Sequence, residues 1–171
     1  MTENQACKVF AKICLDLGIE PETVHLRIIP SDQSPYTDIK NGIIYIHDFS
    51  NEDVCDTSLV FAHELRHIYQ SRNMKGKMDL EMKRYKHFPE CKSLDEYNLQ
   101  WPELDANAFA MYWCNRNLGL TPMFAQLDRK TFDAIKSYAL ATFPPDRHRK
   151  GRCRKARKNK ADVPVDKGIP R

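Results

Sequence analysis

The sequence predicts an α+β fold in which a small antiparallel sheet, or a single hairpin, packs against a long helix and further helices. Two observations carry this prediction. Apolar residues recur with helical spacing in several long segments, whereas strand-like runs are confined to residues 23–47. A chain of 171 residues, 42% of them hydrophobic, is long enough to bury one core without disulfides. We therefore expect one domain over residues 1–143, followed by a tail of different composition over residues 144–171.

Helical spacing predicts four helices, over residues 3–17, about 51–71, 101–117 and from 121 to about 142. The first ends at Gly18, a residue suited to the left-handed C-cap of a helix. The second begins at Ser50, which is followed by acidic residues that favour a helix N-terminus. The third places Pro102 in the first turn, where proline is tolerated, and Thr121-Pro122 opens the last. Residues 72–98 are predicted to form an ordered but irregular connection.

The strand-like residues form a β-rich run over Thr23–Ile29 and two further runs, 37–40 and 43–47, on either side of Asn41-Gly42. Asn-Gly between two such runs is typical of a two-residue type I′ turn, because that turn needs positive φ at both central positions. A hairpin is therefore predicted immediately before the second helix.

The second half of that helix carries the pattern His-Glu-Leu-Arg-His, from His63 to His67. Residues four apart lie one turn apart on the same face, so both imidazoles can reach one zinc ion. Glu64 lies beside them, placed to take a proton from water that the metal activates. The spacing predicts zinc as the cofactor, His63 and His67 as ligands and Glu64 as the general base. Chance occurrence of the pattern is the competing explanation, and a third ligand is needed to exclude it.

A catalytic zinc ion typically has three protein ligands. The candidates downstream are Asp79, Glu81, His87, Glu90, Glu103 and Asp105. The first four lie in the irregular connection, whereas Glu103 and Asp105 lie on the next predicted helix. Glu103 is favoured because Asn107 follows one turn later, where it can hydrogen-bond a ligating imidazole and fix its tautomer. Asp105 is the main rival of Glu103 as third ligand; if it is not a ligand, it is expected to support the ligands. The other explanation for Glu103 is that it is only a favourable negative charge near the helix N-terminus.

His-Glu-Leu-Arg-His followed by Glu-Leu-Asp-Ala-Asn-Ala-Phe-Ala at 103–110 resembles the ImmA/IrrE-type metallopeptidases, whose pattern is HExxH and then ExxANxFA. The resemblance covers Asn51 to Trp113. It implies a zincin-like, gluzincin-like domain with zinc on His63, His67 and Glu103 and Glu64 as catalytic base. The family is found largely in bacteria, phages and mobile elements, where its members cleave or inactivate repressors.

The chain departs from that family pattern at several points. Arg66 stands where glycine is common, the gap between His67 and Glu103 is long, and Met-Tyr-Trp-Cys at 111–114 replaces a leucine-rich ending. The catalytic residues carry over, but a repressor as substrate does not. Arg66 is expected on the side of its helix opposite the ligands, in a surface or partner contact. A donor for the tetrahedral oxyanion is also needed, and the sequence leaves four candidates open, Tyr69, His87, Tyr97 and Tyr112.

The net charge of +4 conceals an uneven distribution. Residues 144–171 carry 11 Lys/Arg against 3 Asp, a net charge of +8, which leaves −4 on residues 1–143. Such a basic run is predicted to be disordered alone. One interpretation is non-specific nucleic-acid binding through phosphates, and the other is a solubilising or dispensable tail. The basic residues proposed to contact phosphates are Arg147, Arg149, Lys150, Arg152, Arg154, Lys155, Arg157, Lys158 and Lys160.

The remaining features bear on compartment and function class. No apolar run approaches the roughly 20 residues that span a bilayer, and the N-terminus lacks the pattern of a secretory signal. Six scattered cysteines without a CxxC pair do not resemble a disulfide framework, so a cytoplasmic protein without membrane partners is expected. The leading hypothesis is a hydrolase, a zinc metalloprotease with a protein substrate. The alternatives are a nucleic-acid-associated protein that uses its tail, and a zinc-retaining scaffold, which the presence of Glu64 disfavours.

Overall fold

The computed structural model describes residues 1–33, 35–50, 52–124 and 126–143. Within these residues the chain forms six α-helices and one three-stranded sheet, which confirms the α+β class. The helices are α1 (Glu3–Leu17), α2 (Val54–Asn73), α3 (Lys75–Glu81), α4 (Leu94–Asn98), α5 (Trp101–Leu118) and α6 (Arg129–Thr142), and the strands are β1 (His25–Ile28), β2 (Tyr36–Asp38) and β3 (Ile43–Ile46). The basic tail, with every residue proposed to contact nucleic acid, lies outside the described residues.

The sheet is mixed, so the prediction of an antiparallel sheet is wrong. Its strand order is β1-β3-β2, with β1 parallel to β3 and β2 antiparallel to β3. Strand β3, the last of the three in the chain, therefore lies in the centre of the sheet, between β1 and β2. This order makes β2 an edge strand. The buried side chains of β3, Ile44 and Ile46, face the helices.

The predicted hairpin joins β2 to β3, but its two-residue type I′ turn is wrong. Asp38 lies opposite Ile43, so the connection has four residues, and Asn41 does not take positive φ. The Asp38 carboxylate accepts hydrogen bonds from the backbone N–H and side-chain amide of Asn41, at 3.1 and 2.7 Å, and thereby holds a wider turn. Gly42 takes φ of 65°, and a Cβ there would lie 2.7 Å from the Thr23 carbonyl oxygen.

The predicted boundaries are correct for α1, whereas the predicted start of α2 is three residues too early. Helix α1 spans the predicted residues, and Gly18 ends it in the left-handed conformation, with φ of 66°. Helix α2 begins at Val54 instead of following Ser50, because the Asp53 side chain accepts from the Asp56 N–H at 2.9 Å. Ser50 is instead engaged by the Asp48 carboxylate.

Two other helix predictions are wrong. The connection 72–98 contains α3 and α4, and Gly76 lies inside α3. Helix α6 does not open at Thr121-Pro122. It begins at Arg129, because the Asp128 carboxylate accepts from the Thr131 N–H at 2.6 Å.

The core lies between α1, α2, α5 and the inner face of the sheet. Helix α5 packs closely on α2, since Ala106 and Ala110 are fully buried and add little thickness between the two helices. Phe109 is buried in the same core cluster, as its position on α5 predicts. This packing brings the motif of α2 against the N-terminal half of α5. Among the described residues, no helix combines the length and apolar character that crossing a membrane requires.

Candidate metal centre

His63 and His67 on α2 meet Glu103 on α5 at the floor of a cavity of about 630 Å³. The two Nε2 atoms lie 3.1 Å apart. Glu103 Oε2 lies 3.3 Å from Nε2 of His63 and 3.6 Å from Nε2 of His67. The structure therefore brings together the three side chains that the two motifs predict as ligands.

The spacing of these three atoms fits a small tetrahedral metal ion. Zinc bonds of about 2.0–2.1 Å at the tetrahedral angle place neighbouring ligand atoms about 3.3 Å apart. The three distances of 3.1, 3.3 and 3.6 Å bracket that value. Two imidazole nitrogens and one carboxylate oxygen are also a donor set that zinc accepts.

The orientation of the His63 ring is fixed by Asn107, as the spacing on α5 predicts. Asn107 Oδ1 lies 3.0 Å from Nδ1 of His63, while Asn107 Nδ2 donates to Asn98 Oδ1 at 2.6 Å. Because the Asn107 amide nitrogen is engaged by Asn98, its oxygen faces the imidazole and accepts the Nδ1 hydrogen. Nε2 of His63 is then the nitrogen that faces Glu103 and is available to a metal ion.

The charges of the site favour a bound cation. Burial alone would lower the pKa of His67, but the hydrogen bond and charge of Glu103, the charge of Glu64 and the Gln70 hydrogen bond outweigh it and raise the pKa to about 9. Burial would likewise raise the pKa of Glu103, yet the His63 and His67 hydrogen bonds hold it well below its usual range. Glu103 is therefore an anion, and a proton or a metal ion among the three atoms neutralises it.

Glu64, the predicted general base, lines the same cavity and is 6% exposed. Thr37 on the edge strand β2 donates its hydroxyl hydrogen to Glu64 Oε2 at 2.6 Å. This contact was not predicted, because Thr37 and Glu64 lie 27 residues apart, on a strand and a helix that no sequence spacing relates. It holds one carboxylate oxygen, Oε2, in place at the edge of the cavity.

Two tyrosines from the segment 72–98, Tyr85 and, in α4, Tyr97, complete the wall beside Glu103. Tyr85 donates to Glu103 Oε1 at 2.7 Å, and the Tyr85 and Tyr97 hydroxyl oxygens lie 3.0 Å apart. Burial and the neighbouring Glu103 charge raise the pKa of both phenols, so both remain protonated donors. Sequence analysis missed Tyr85, and no motif or periodicity marks it.

The oxyanion candidates separate into two groups. Tyr97 and His87 line the cavity. The Arg66 guanidinium lies over the Tyr69 ring, with Arg66 Cζ 4.4 Å from the ring centroid. Tyr69 packs against the core, as the helical pattern indicates. Tyr112 stacks on Phe143 at 5.3 Å. Geometry therefore leaves Tyr97 and His87.

Asp105 and Arg66 form an ion pair behind the site. Asp105 is fully buried and accepts from Arg66 Nε at 2.7 Å and from Arg66 Nη2 at 3.2 Å. The expectation that Arg66 makes a surface or partner contact is wrong, because the side chain is 6% exposed and reaches α5 within the same domain. Asp105 is engaged by Arg66 and does not join the His63, His67 and Glu103 group.

The other third-ligand candidates do not join that group among the described residues. Glu81 pairs with Arg84, and Glu90 accepts from the His87 backbone N–H at 2.9 Å. In comparisons with known proteins, no family model matched the chain, and no curated protein or solved structure matched it. The resemblance to ImmA/IrrE-type metallopeptidases is therefore carried by the motif residues alone.

Proposed function

We propose that this protein is a zinc-dependent peptidase that hydrolyses a peptide bond in a protein substrate, with a zincin-like domain over residues 1–143. The observation that supports it most is the convergence of His63, His67 and Glu103, whose three ligand atoms lie 3.1–3.6 Å apart, beside Glu64 in an open cavity. A structural zinc site is closed and has no use for a base next to the ligands. The position of Glu64 therefore favours catalysis over a scaffold.

Zinc bound by these three residues supplies Lewis acidity, which lowers the pKa of water and polarises a carbonyl group. Glu64 Oε2 is occupied by the Thr37 hydroxyl, so Oε1 accepts the proton of the attacking water. The same carboxyl group then donates that proton to the leaving amine. Tyr85 holds Glu103 Oε1 and so directs Oε2 to the ion.

Tyr97 is the donor proposed for the tetrahedral oxyanion. Its hydroxyl group lines the cavity and lies 3.0 Å from the Tyr85 hydroxyl oxygen. A substrate oxygen can accept the Tyr97 hydrogen, because Tyr85 holds Glu103 through its own hydroxyl hydrogen. The phenol then stabilises negative charge that develops only during the reaction.

The edge strand β2 supports a peptide as substrate. Strand β2 pairs with β3 on one side, and Tyr36, Thr37 and Ile39 line the cavity on the other. An extended peptide can hydrogen-bond to such a free strand edge, as in β-strand addition. Its scissile carbonyl would then pass between Thr37 and Glu103, over the proposed metal site.

The test compares metal content and hydrolysis in the full chain. Glu64→Gln is expected to bind zinc at wild-type stoichiometry and to cleave a peptide library roughly a hundredfold to ten-thousandfold more slowly, because it keeps the ligands and removes the base. Glu103→Ala is expected to lose zinc. Glu22→Ala, at an exposed position, is the control and should retain both properties. A zinc-loaded wild type that cleaves no peptide, or a Glu64→Gln variant as fast as wild type, would contradict the proposal.

A further inference from the structure

Gln70, one turn after His67 on α2, is fully buried against α5. Its side-chain nitrogen Nε2 donates to the Pro102 carbonyl oxygen at 2.9 Å and to Asp105 Oδ2 at 2.8 Å. An amide nitrogen has two hydrogens, and these two acceptors use both. The orientation of the Gln70 amide is therefore determined by its surroundings, and its oxygen Oε1 faces His67.

That orientation decides which nitrogen of His67 is available to a metal ion. Gln70 Oε1 lies 3.0 Å from Nδ1 of His67 and offers only lone pairs. Nδ1 must carry a hydrogen to make this contact, which leaves Nε2 as the nitrogen that faces His63 and Glu103 and can bind a metal ion in place of its proton. If the amide were reversed, its oxygen would face two acceptors, and its nitrogen would compete for the His67 lone pair.

The Asp105 carboxylate that holds Gln70 is itself held by three donors. Besides Gln70, Asp105 accepts two hydrogen bonds from Arg66, at 2.7 and 3.2 Å, and one from the Tyr138 hydroxyl of α6 at 3.3 Å. The Arg66 guanidinium is covered by aromatic rings, with the Phe143 centroid 5.1 Å away. An ion pair enclosed in this way fixes the Asp105 carboxylate and holds Oδ2 as the acceptor that faces Gln70.

We propose that Gln70 is a positioning residue that presents Nε2 of His67 to the metal ion, and that the buried Arg66–Asp105 pair fixes the orientation of Gln70. The inference rests on the proposed function, since it takes zinc as the ion bound by His67. His63 is oriented separately by Asn107 and Asn98, so the two imidazoles have independent supports.

The first test measures Zn²⁺ affinity of the full chain by competition with a chelating dye. Gln70→Met keeps the size of the side chain and removes the amide, and it is expected to weaken Zn²⁺ binding roughly tenfold to a hundredfold. The matched control is Thr57→Val, which removes another buried hydrogen-bonding group from α2 far from the site and should leave the affinity unchanged. Equal affinity in wild type and Gln70→Met would overturn the inference while leaving the proposed function intact. A wild type that binds no Zn²⁺ would overturn both.

A rescue experiment separates positioning from a general loss of packing. Gln70→Glu alone places a carboxylate against Asp105 and the Pro102 carbonyl, so it should also weaken Zn²⁺ binding. Adding Asp105→Asn gives that carboxylate an amide donor in place of an acceptor and keeps an oxygen for Arg66 Nη2, so the double variant should bind Zn²⁺ more tightly than Gln70→Glu. A double variant that binds no better than Gln70→Glu would contradict the role of Asp105.

A measurement on the wild type decides the point even if the variants do not fold. In the zinc-loaded protein, proton–nitrogen correlation spectra of the imidazole rings report which nitrogen carries hydrogen. We expect His67 to show a slowly exchanging hydrogen on Nδ1 and the metal on Nε2. A hydrogen on Nε2 of His67 would overturn the inference.

Discussion

The ion pair between His67 and Glu103 should make the stability of the metal-free protein depend on pH in the neutral to alkaline range. The pKa of His67 is raised from 6.5 to about 9 in the folded protein, while an unfolded histidine keeps its ordinary pKa. The folded state therefore binds this proton more tightly, and the resulting stability is fully present below about pH 6.5 and lost as the pH rises through about 9. A difference of about 2.5 pKa units corresponds to about 3 kcal/mol of unfolding free energy.

Urea unfolding of the metal-free protein in a chelator, at pH 6 and at pH 9.5, measures this loss. Other groups titrate in the same window, so the wild type is compared with Glu103→Gln, which keeps the shape of the side chain and removes its charge. With that charge gone, only the Glu64 charge and the Gln70 hydrogen bond oppose burial, so the His67 pKa falls and the variant should lose less unfolding free energy than wild type over the same interval. Equal pH dependence in the two proteins would refute the assignment of the shift to Glu103. Direct titration of the His67 ring by NMR should show the pKa near 9 in wild type and a lower pKa in the variant.

Two further predictions concern stability. Arg66→Met should lower the unfolding free energy by about 3–5 kcal/mol in urea, because it leaves the buried Asp105 carboxylate without its cationic partner; a loss under 1 kcal/mol, typical of an exposed pair, would contradict the burial argument. Gly42→Ala should lower the unfolding free energy by about 1–3 kcal/mol, because φ is 65° and the new Cβ would lie 2.7 Å from the Thr23 carbonyl oxygen. Gly76→Ala, in open space within α3, is the matched control and should be neutral or stabilising by up to about 1 kcal/mol; similar losses in the two alanine variants would refute the strain at Gly42.

The elements that sequence analysis placed well are those whose ends carry local chemistry. Gly18 and Gly119 end α1 and α5 in the left-handed conformation, and glycine is the residue that adopts it without strain. The parallel pairing of β1 with β3 has no such local signal, because register between strands depends on contacts that are distant along the chain. The Asn41-Gly42 turn was misjudged for a related reason, as the side chain of Asp38 competes for the groups that a tight turn would use.

The site was predictable to the extent that its residues share a helix. His63, Glu64 and His67 lie within two turns of α2, and Asn107 lies one turn from Glu103 on α5, so spacing alone relates them. Tyr85 reaches Glu103 from the irregular connection, where no periodicity relates position to direction. Contacts of this kind follow only from the packed arrangement of the chain.

The choice between Glu103 and Asp105 shows why burial patterns could not identify the third ligand. Two residues apart on a helix lie about 200° apart around its axis, and a helix with one exposed face would bury only one of them. Helix α5 is covered by α2 and α6, and both carboxylates are buried. What distinguishes them is the charge that each one meets. Asp105 pairs with the permanent cation of Arg66. Glu103 instead faces two imidazoles, and a metal ion can replace a proton on their nitrogens. The arginine at the fourth position of the His-Glu-Leu-Arg-His motif thus pairs with Asp105 and leaves Glu103 as the carboxylate that a metal ion could bind.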